Sequence, residues 1–294
     1  AVVITTKRAK AGKATVSYNN SFRAETPYRF PDVQTVFGGG AGGIFDEEVR
    51  TRTFFGGRIP ENRTRFDNLD AFYQTGFTQR HSASIEGGTE AISLRTSVQY
   101  TDQEGAIPGT AFNSLNFRVT GNAKISDKIS ANASVNYINN RTDKTYKGAG
   151  SPMISVLTWP HVDDIRNRYT ATGERRTITG SYSAELDNPI WGMENNPNYD
   201  MTNRVMANFG MTYKPTNWLD IRGTAGTDVY SFRGASGYHP ESYNANVSGT
   251  SSVGGGINTF NNNVRLLTAN LVATAKQTYG KFKPVLRLGY DIND

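Results

Sequence analysis

The chain has 294 residues and no cysteine, 36% of its residues are hydrophobic, and its mean hydropathy is −0.54. Disulfides and thiolate metal sites are excluded, as is a transmembrane helix, because no run of about 18 apolar residues occurs. The net charge of +6 is spread over arginines such as Arg118, Arg222, Arg265 and Arg287, which alternation assigns to polar strand faces. No clustered basic footprint for nucleic acid is present. A membrane barrel stays open, because only every second residue of its strands needs to be apolar. The 15 Tyr and 15 Phe suit the aromatic girdles of such a barrel. The first residues show no basic n-region or cleavage pattern, so any leader is expected to have been removed or to lie upstream.

In chain order, residues 1–7 read as a short apolar strand and residues 7–13 as a basic break. Residues 13–22 alternate, with Ala14, Val16 and Tyr18 against Thr15, Ser17 and Asn19. Residues 23–76 lose the pattern among Pro27, Pro31, the glycine-rich run from Gly38 to Gly43, and Pro60, which punctuate a long loop. Strands follow over 77–85 and 92–100, separated by a tight turn at Gly87-Gly88. Residues 115–137 carry the clearest signal. Leu115, Phe117, Val119, Gly121, Ala123 and Ile125 alternate with polar residues; after a turn at Asp127, Ile129, Ala131, Ala133, Val135 and Tyr137 do the same. A period of two places these side chains on opposite faces of an antiparallel hairpin. Each arm is about 10 residues, the span of a tilted transmembrane strand.

A second irregular stretch is predicted over 139–203. Strands return at 205–213 and 219–229, joined at Pro215. A third loop covers 231–262, and strands at 267–275 and 282–290 meet at Gly280. The pattern thus predicts nine long strands whose connections alternate between long or medium and short. Barrel proteins of the outer membrane sort their loops in this way, with tight periplasmic turns and long extracellular loops. A soluble sandwich does not, and its strands run to only about 5–6 residues. By parity the turns at Gly87, Asp127, Pro215 and Gly280 face the periplasm, and the loops around Gly40, Gly105, Trp191 and Gly249 face outward. Tyr18, Tyr100, Tyr137, Tyr213, Phe282 and Tyr290 fall near the expected membrane borders. Nine strands do not make a closed barrel of even strand number, so the expectation is an all-β, partial transmembrane barrel.

Several segments together resemble SusC/RagA-type TonB-dependent transporters. They are Val2-Val3-Ile4-Thr5-Thr6-Lys7 with Val16-Ser17-Tyr18; Tyr73-Gln74-Thr75-Gly76-Phe77 leading to Ser84-Ile85-Glu86-Gly87-Gly88; and Tyr100 through Gly105. Asn116-Phe117-Arg118 with Val135-Asn136-Tyr137, Ser151-Pro152-Met153 through Trp159-Pro160, and Asp163-Asp164-Ile165-Arg166-Asn167 complete the set. The resemblance implies a 22-strand outer-membrane barrel around an N-terminal plug. It implies energy from TonB, a SusD-like surface lipoprotein partner, glycan or peptide oligomers as cargo, and the outer membrane of a Gram-negative, Bacteroidetes-like bacterium. Within it, residues 1–10 correspond to the end of the plug and its linker, and 11–294 to the first part of the barrel. The TonB-contacting segment, most of the plug and the later strands are expected to lie outside this stretch. Two other readings are a surface adhesin or carbohydrate-binding β-protein, and an outer-membrane chain caught on barrel-assembly machinery.

No residue set supports catalysis or a phosphate cradle. Acids follow the glycine run where phosphate would sit, and no Ser-His-Asp order or carboxylate pair is readable. The glycine run reads as flexible loop. His81, His161 and His239 lack ligand spacing, so no metal is expected. Asp163, Asp164, Asp187 and Asp200 form an oxygen-rich loop with a weak possibility of Ca²⁺. Trp159, His161, Trp191 and Tyr199 are candidates for substrate contact in the long outward loop, weighed against the blander role of pinning that loop to the barrel. Arg118, Arg222 and Arg287 are expected to face the lumen and the plug.

Overall fold

The computed structural model describes residues 12–47, 56–148, 151–178, 187–243 and 254–294. The predicted end of the plug, residues 1–10, lies outside them. Nine strands are present: β1 Gly12–Glu25, β2 Gly76–Gly88, β3 Ile92–Glu104, β4 Ala111–Lys124, β5 Ile129–Asp143, β6 Asn198–Thr216, β7 Leu219–Tyr238, β8 Gly256–Lys276 and β9 Val285–Asn293. All pair antiparallel in one sheet with the order β1-β2-β3-β4-β5-β6-β7-β8-β9, a pure meander. β1 and β9 are its two edges.

Registers show which residues share a face. Val98, Phe117, Tyr137, Val205 and Val229 are successive partners across β3 to β7, and Ala133, Phe209, Ala225 and Ala269 across β5 to β8. Among the described residues no second layer covers this apolar face. Phe117 is 44% exposed, Val135 48%, Phe209 51% and Leu271 54%. Large side chains left bare in a continuous field require an apolar surround, which for strands of this length is hydrocarbon. The opposite face is ionic and hydrogen-bonded. Arg95 pairs with Glu86 at 2.5 Å, Arg204 pairs with Asp228, and Lys276 lies 3.1 Å from Asp220.

The apolar face ends sharply on the long-loop side. Tyr100 gives way to Asp102 and Glu104 on β3, Leu115 to Asn113 on β4, Tyr137 to Asn139 on β5, Val205 to Asn203 on β6, and Val229 to Ser231 on β7. On β5 the apolar run from Ile129 to Tyr137 is roughly nine residues, enough for the ~25 Å lipid-facing band of a tilted barrel strand. At its edge the Tyr137 hydroxyl donates to Asn203 Oδ1 at 3.3 Å, and the Asn139 amide donates to the same oxygen at 2.6 Å. An amphipathic ring with its polar tip outermost is the chemistry of a girdle.

The structure departs from the sequence expectation in four respects. The strands run further: β6, β7 and β8 have 19, 20 and 21 residues and project beyond the apolar band into segments expected to be loop. Their backbones pair with each other there whatever their side chains face, so the ladder outlasts the hydropathy pattern. Arg265 is not on the polar face. It pairs with Val229 and shares parity with Leu267, because β8 has passed the apolar band while its alternation continues. Pro215 lies inside β6 rather than in the turn, at a register shift between Tyr213 and Thr216 where its missing N–H is tolerated. The first half of the glycine run, Gly38 to Gly40, is packed rather than open, while Gly42 and Gly43 stay exposed. Gly38 donates to Gly57 O at 3.1 Å and Asp46 to Gly39 O at 2.9 Å, and a Cβ on Gly40 would sit 2.0 Å from Ile44 O. Only glycine lets these backbones cross so closely.

The field of bare side chains yields a test. Leu271→Arg, at the middle of the apolar band, is expected to destabilise the folded barrel by about 2–4 kcal/mol. Asn270→Arg, one residue along and on the polar face, is expected to cost far less. Denaturant titration of the heat-modifiable form in lipid or detergent reads the difference.

Candidate functional site

The three long connections, 26–75, 144–197 and 239–255, leave the same end of the sheet, and their described parts fold into a cap. Three short helices organise it: α1 Asn68–Phe72, α2 Pro152–Leu157 and α3 Pro189–Asn195. Each starts on a side-chain cap. Asp67 accepts from Asp70 N, Ser151 from Met153 N, and Asn188 from Ile190 N and Trp191 N; Pro152 and Pro189 occupy first-turn positions. Leu69, Phe72, Val156, Trp159, Ile165 and Ile178 form a buried core of their own.

Two polar assemblies stitch the cap together. Asn68, on α1, donates to the carbonyls of Pro160 at 3.1 Å and Asp163 at 3.0 Å and accepts from Ile165 N at 3.0 Å. Asp163 also accepts from Trp159 Nε1 at 3.0 Å and holds Arg176. In the second assembly, buried Asp187 binds the buried Arg175 guanidinium, Ser242 Oγ, Asn196 Nδ2 at 3.1 Å and Tyr243 N at 2.9 Å. Arg175 is also flanked by the rings of Trp191 at 4.6 Å and Tyr243 at 4.2 Å. These contacts satisfy most of a buried pair's hydrogen-bonding capacity, the condition under which such a pair is tolerated.

The four aromatic and histidine candidates fall in different settings. Trp159 and Trp191 are each 2% exposed, one in the apolar core and the other edge-on to His239 at 5.4 Å. His161 is half-buried on the rim of a cavity of about 500 Å³, shared with Phe30, Asp32, Arg65, Asp67 and Trp159. Burial holds its imidazole below the usual histidine range, partly offset by a hydrogen bond with the Gln34 backbone and by the charge of Asp67. Tyr199 stands at the start of β6, with the Arg141 guanidinium 4.6 Å from its ring centre. Tyr146, which sequence reasoning did not single out, ties the cap to the strand ends. It stacks on Tyr238 at 4.6 Å and donates to Gly237 O at 2.6 Å, and burial pushes its hydroxyl up to about 12.

Arg118, Arg222 and Arg287 lie on the polar face, opposite Asn136, Thr212 and Thr274 in register. Arg118 Nε and Asn136 Oδ1 are buried without a hydrogen-bond partner. Of the four acids expected in one loop, Asp200 lies in β6, and each pairs with a cation: Asp163 with Arg176, Asp164 with Arg166 at 2.8 Å, Asp187 with Arg175, and Asp200 with Lys144. Among the described residues no three His, Asp or Glu side chains gather as a metal would need.

No family model matches the chain. It is 27% identical over 145 residues to a TonB-dependent receptor of Formosa agariphila, covering 49% of this chain and 14% of that protein. It is 25% identical over 209 residues to the TonB-dependent receptor SusC of Bacteroides thetaiotaomicron, covering 67% of this chain and 19% of that one. In fold it matches the RagAB peptide importer in its closed-closed state with a TM-score of 0.68 at 16% identity, over 97% of this chain and 35% of that chain. The class these likenesses support is the TonB-dependent outer-membrane transporter, built on an antiparallel β-barrel. Within that class the likeness is to the SusC/RagA type, over the limited part of its length that this chain spans.

Two outcomes follow for the cap. Asp187→Ala leaves Arg175 buried without its carboxylate and is expected to cost the cap about 3–5 kcal/mol. Limited proteolysis then cuts within 144–197 and 239–255 while the heat-modifiable barrel band persists. His161 binds a proton less readily folded than unfolded, so cap stability falls as pH drops through the unfolded value of about 6.5 and levels off below the folded one. Hydrogen exchange at residues 63–72 is expected to quicken across that window, and His161→Gln is expected to remove the dependence.

Proposed function

We propose that this chain forms part of the wall and the outer loops of a TonB-dependent importer that takes up glycan or peptide oligomers with a SusD-like lipoprotein. The observation that carries the reading is the nine-strand meander with a bare apolar face, a polar face and the described parts of the three long connections gathered into one cap at one end. The strands supply a wall between hydrocarbon and a wet interior. Arg118, Arg222 and Arg287 face that interior, the side on which a plug would sit. The cap supplies the outer seat. Tyr28 is 91% exposed and Ile44 75%, and Ile154 and Leu157 are also bare; exposed apolar groups of this kind suit a protein partner. His161, at the open cavity, is the cargo-contact candidate with reachable atoms; Tyr199 shares the parity of Val205 on β6 and so stands on the lipid-facing side, and Trp159 and Trp191 act by holding the cap's shape. The SusC and RagAB likenesses support the same partner class and an outer membrane of the Bacteroidetes type.

The test uses the full-length protein, tagged in the turn at 277–284 opposite the cap. Detergent extraction is expected to yield a heat-modifiable band together with a co-purifying surface lipoprotein, and oligomer uptake is expected to cease when TonB is inactivated. Extraction without detergent, with no heat-modifiable form, would instead identify a surface adhesin.

A further inference from the structure

The apolar band of β8 ends at Leu267, and the next outward position is Arg265. On β7 the band ends at Val229, followed outward by Ser231 and Arg233. Both arginines are exposed on the lipid-facing side: Arg265 stands two residues beyond Leu267 and Arg233 four beyond Val229, about 7 and 13 Å along the strand, or about 5 and 10 Å along the membrane normal at a tilt of ~40°, the level at which headgroups replace hydrocarbon. Among the described residues neither has an ion-pair partner. Arg141, which shares Met201 with Arg233 as a register neighbour, shows the contrast: Asp143 grips it with two hydrogen bonds of 3.0 and 2.8 Å. Above the band, the described outward positions of β6, β7 and β8 carry no carboxylate. Asp294, opposite Leu267, is the closest acid in register, and among the described residues it forms no ion pair with Arg265. Beside Arg233 lies a cavity of about 370 Å³, lined also by Tyr199, Met201, Ala235, Thr259 and Asn261. It offers a guanidinium fork, hydroxyl and amide donors, and an apolar floor.

We propose that this outward facet of β6–β8 binds the phosphate of an anionic lipid headgroup in the outer leaflet, with Arg233 and Arg265 as its charged ligands. A guanidinium presents paired N–H donors that match phosphate oxygens, and it is less strongly hydrated than an ammonium. The Arg233 cavity receives the headgroup, and the bare side chains of Leu267 and Leu271 below it receive the acyl chains. The site anchors the barrel wall at a set depth directly beneath the cap. The inference rests on the membrane-barrel reading, which the heat-modifiable gel shift of the same preparations checks separately.

The experiment compares the full-length protein, extracted from outer membranes in mild detergent, with the double variant R233Q/R265Q and with K283Q in the opposite turn as control. Native mass spectrometry reads bound phosphorylated lipid. The unmodified protein and K283Q are expected to retain it, and the double variant about ten-fold less or lower still, with the heat-modifiable band unchanged in all three. Dephosphorylated lipid is expected to be retained poorly by every form, and inorganic phosphate is expected not to displace the lipid. Equal retention by the double variant, equal retention of dephosphorylated lipid, or displacement by inorganic phosphate alone would each overturn the proposal.

Discussion

Hydrocarbon offers no partner to a backbone N–H or C=O, so a chain that crosses it by strands has to satisfy every such group on its neighbours. That constraint shapes this sheet. Eight antiparallel ladders join nine strands, and the two register shifts among them, near Gly12 and Pro215, sit at strand ends on the short-turn side. With the backbone paired within the sheet, the side chains are free to differ by face. One face carries Phe117, Val135, Phe209 and Leu271, and the other carries Glu86, Arg95, Arg204 and Asp228. A slip of one residue in any ladder would exchange the two sets, so burial of the apolar side chains in lipid and the ion pairs on the wet side select the same register.

The cap works by the opposite rule. Outside hydrocarbon its irregular backbone has water, side-chain caps and buried amides as partners. Asn68 and Asn188 act there as substitutes for secondary structure, joining segments far apart in sequence through the carbonyls of Pro160, Asp163 and Ile165. The buried Asp187–Arg175 pair adds specificity of geometry, because few alternative packings of the loops would supply its donors together. The cap is therefore ordered by a small number of polar contacts around a modest apolar core, and this makes it sensitive to the loss of a single carboxylate.

Strand length links the two regions. β6, β7 and β8 continue past the membrane border, so the cap is carried on rigid ladders rather than on flexible stems. Tyr146 stacks against Tyr238 at the end of one such strand and closes the junction. The same extension lifts Arg233 and Arg265 clear of the hydrocarbon, where a charge on the lipid side is tolerated.

Alternation along residues 115–137 and its echoes elsewhere was sufficient to set the number of strands, their order and which face meets lipid. A period of two is a local property, and lipid rewards it residue by residue. The sorting of loops by length set which end carries them. What the sequence did not disclose was where alternation outlives its apolar content, which is why Arg265 and the upper parts of β7 and β8 were misplaced. The caps of the three helices were present as Asp67, Ser151-Pro152 and Asn188-Pro189, but helices this short leave no readable hydrophobic period. Only the tertiary structure decided that Trp159 and Trp191 are closed off, that Gly38 to Gly40 lie in a backbone crossing, and that Asp187 and Arg175 meet Ser242 and Tyr243. These are contacts between separate loops, and their energies depend on packing that no single stretch of the chain encodes.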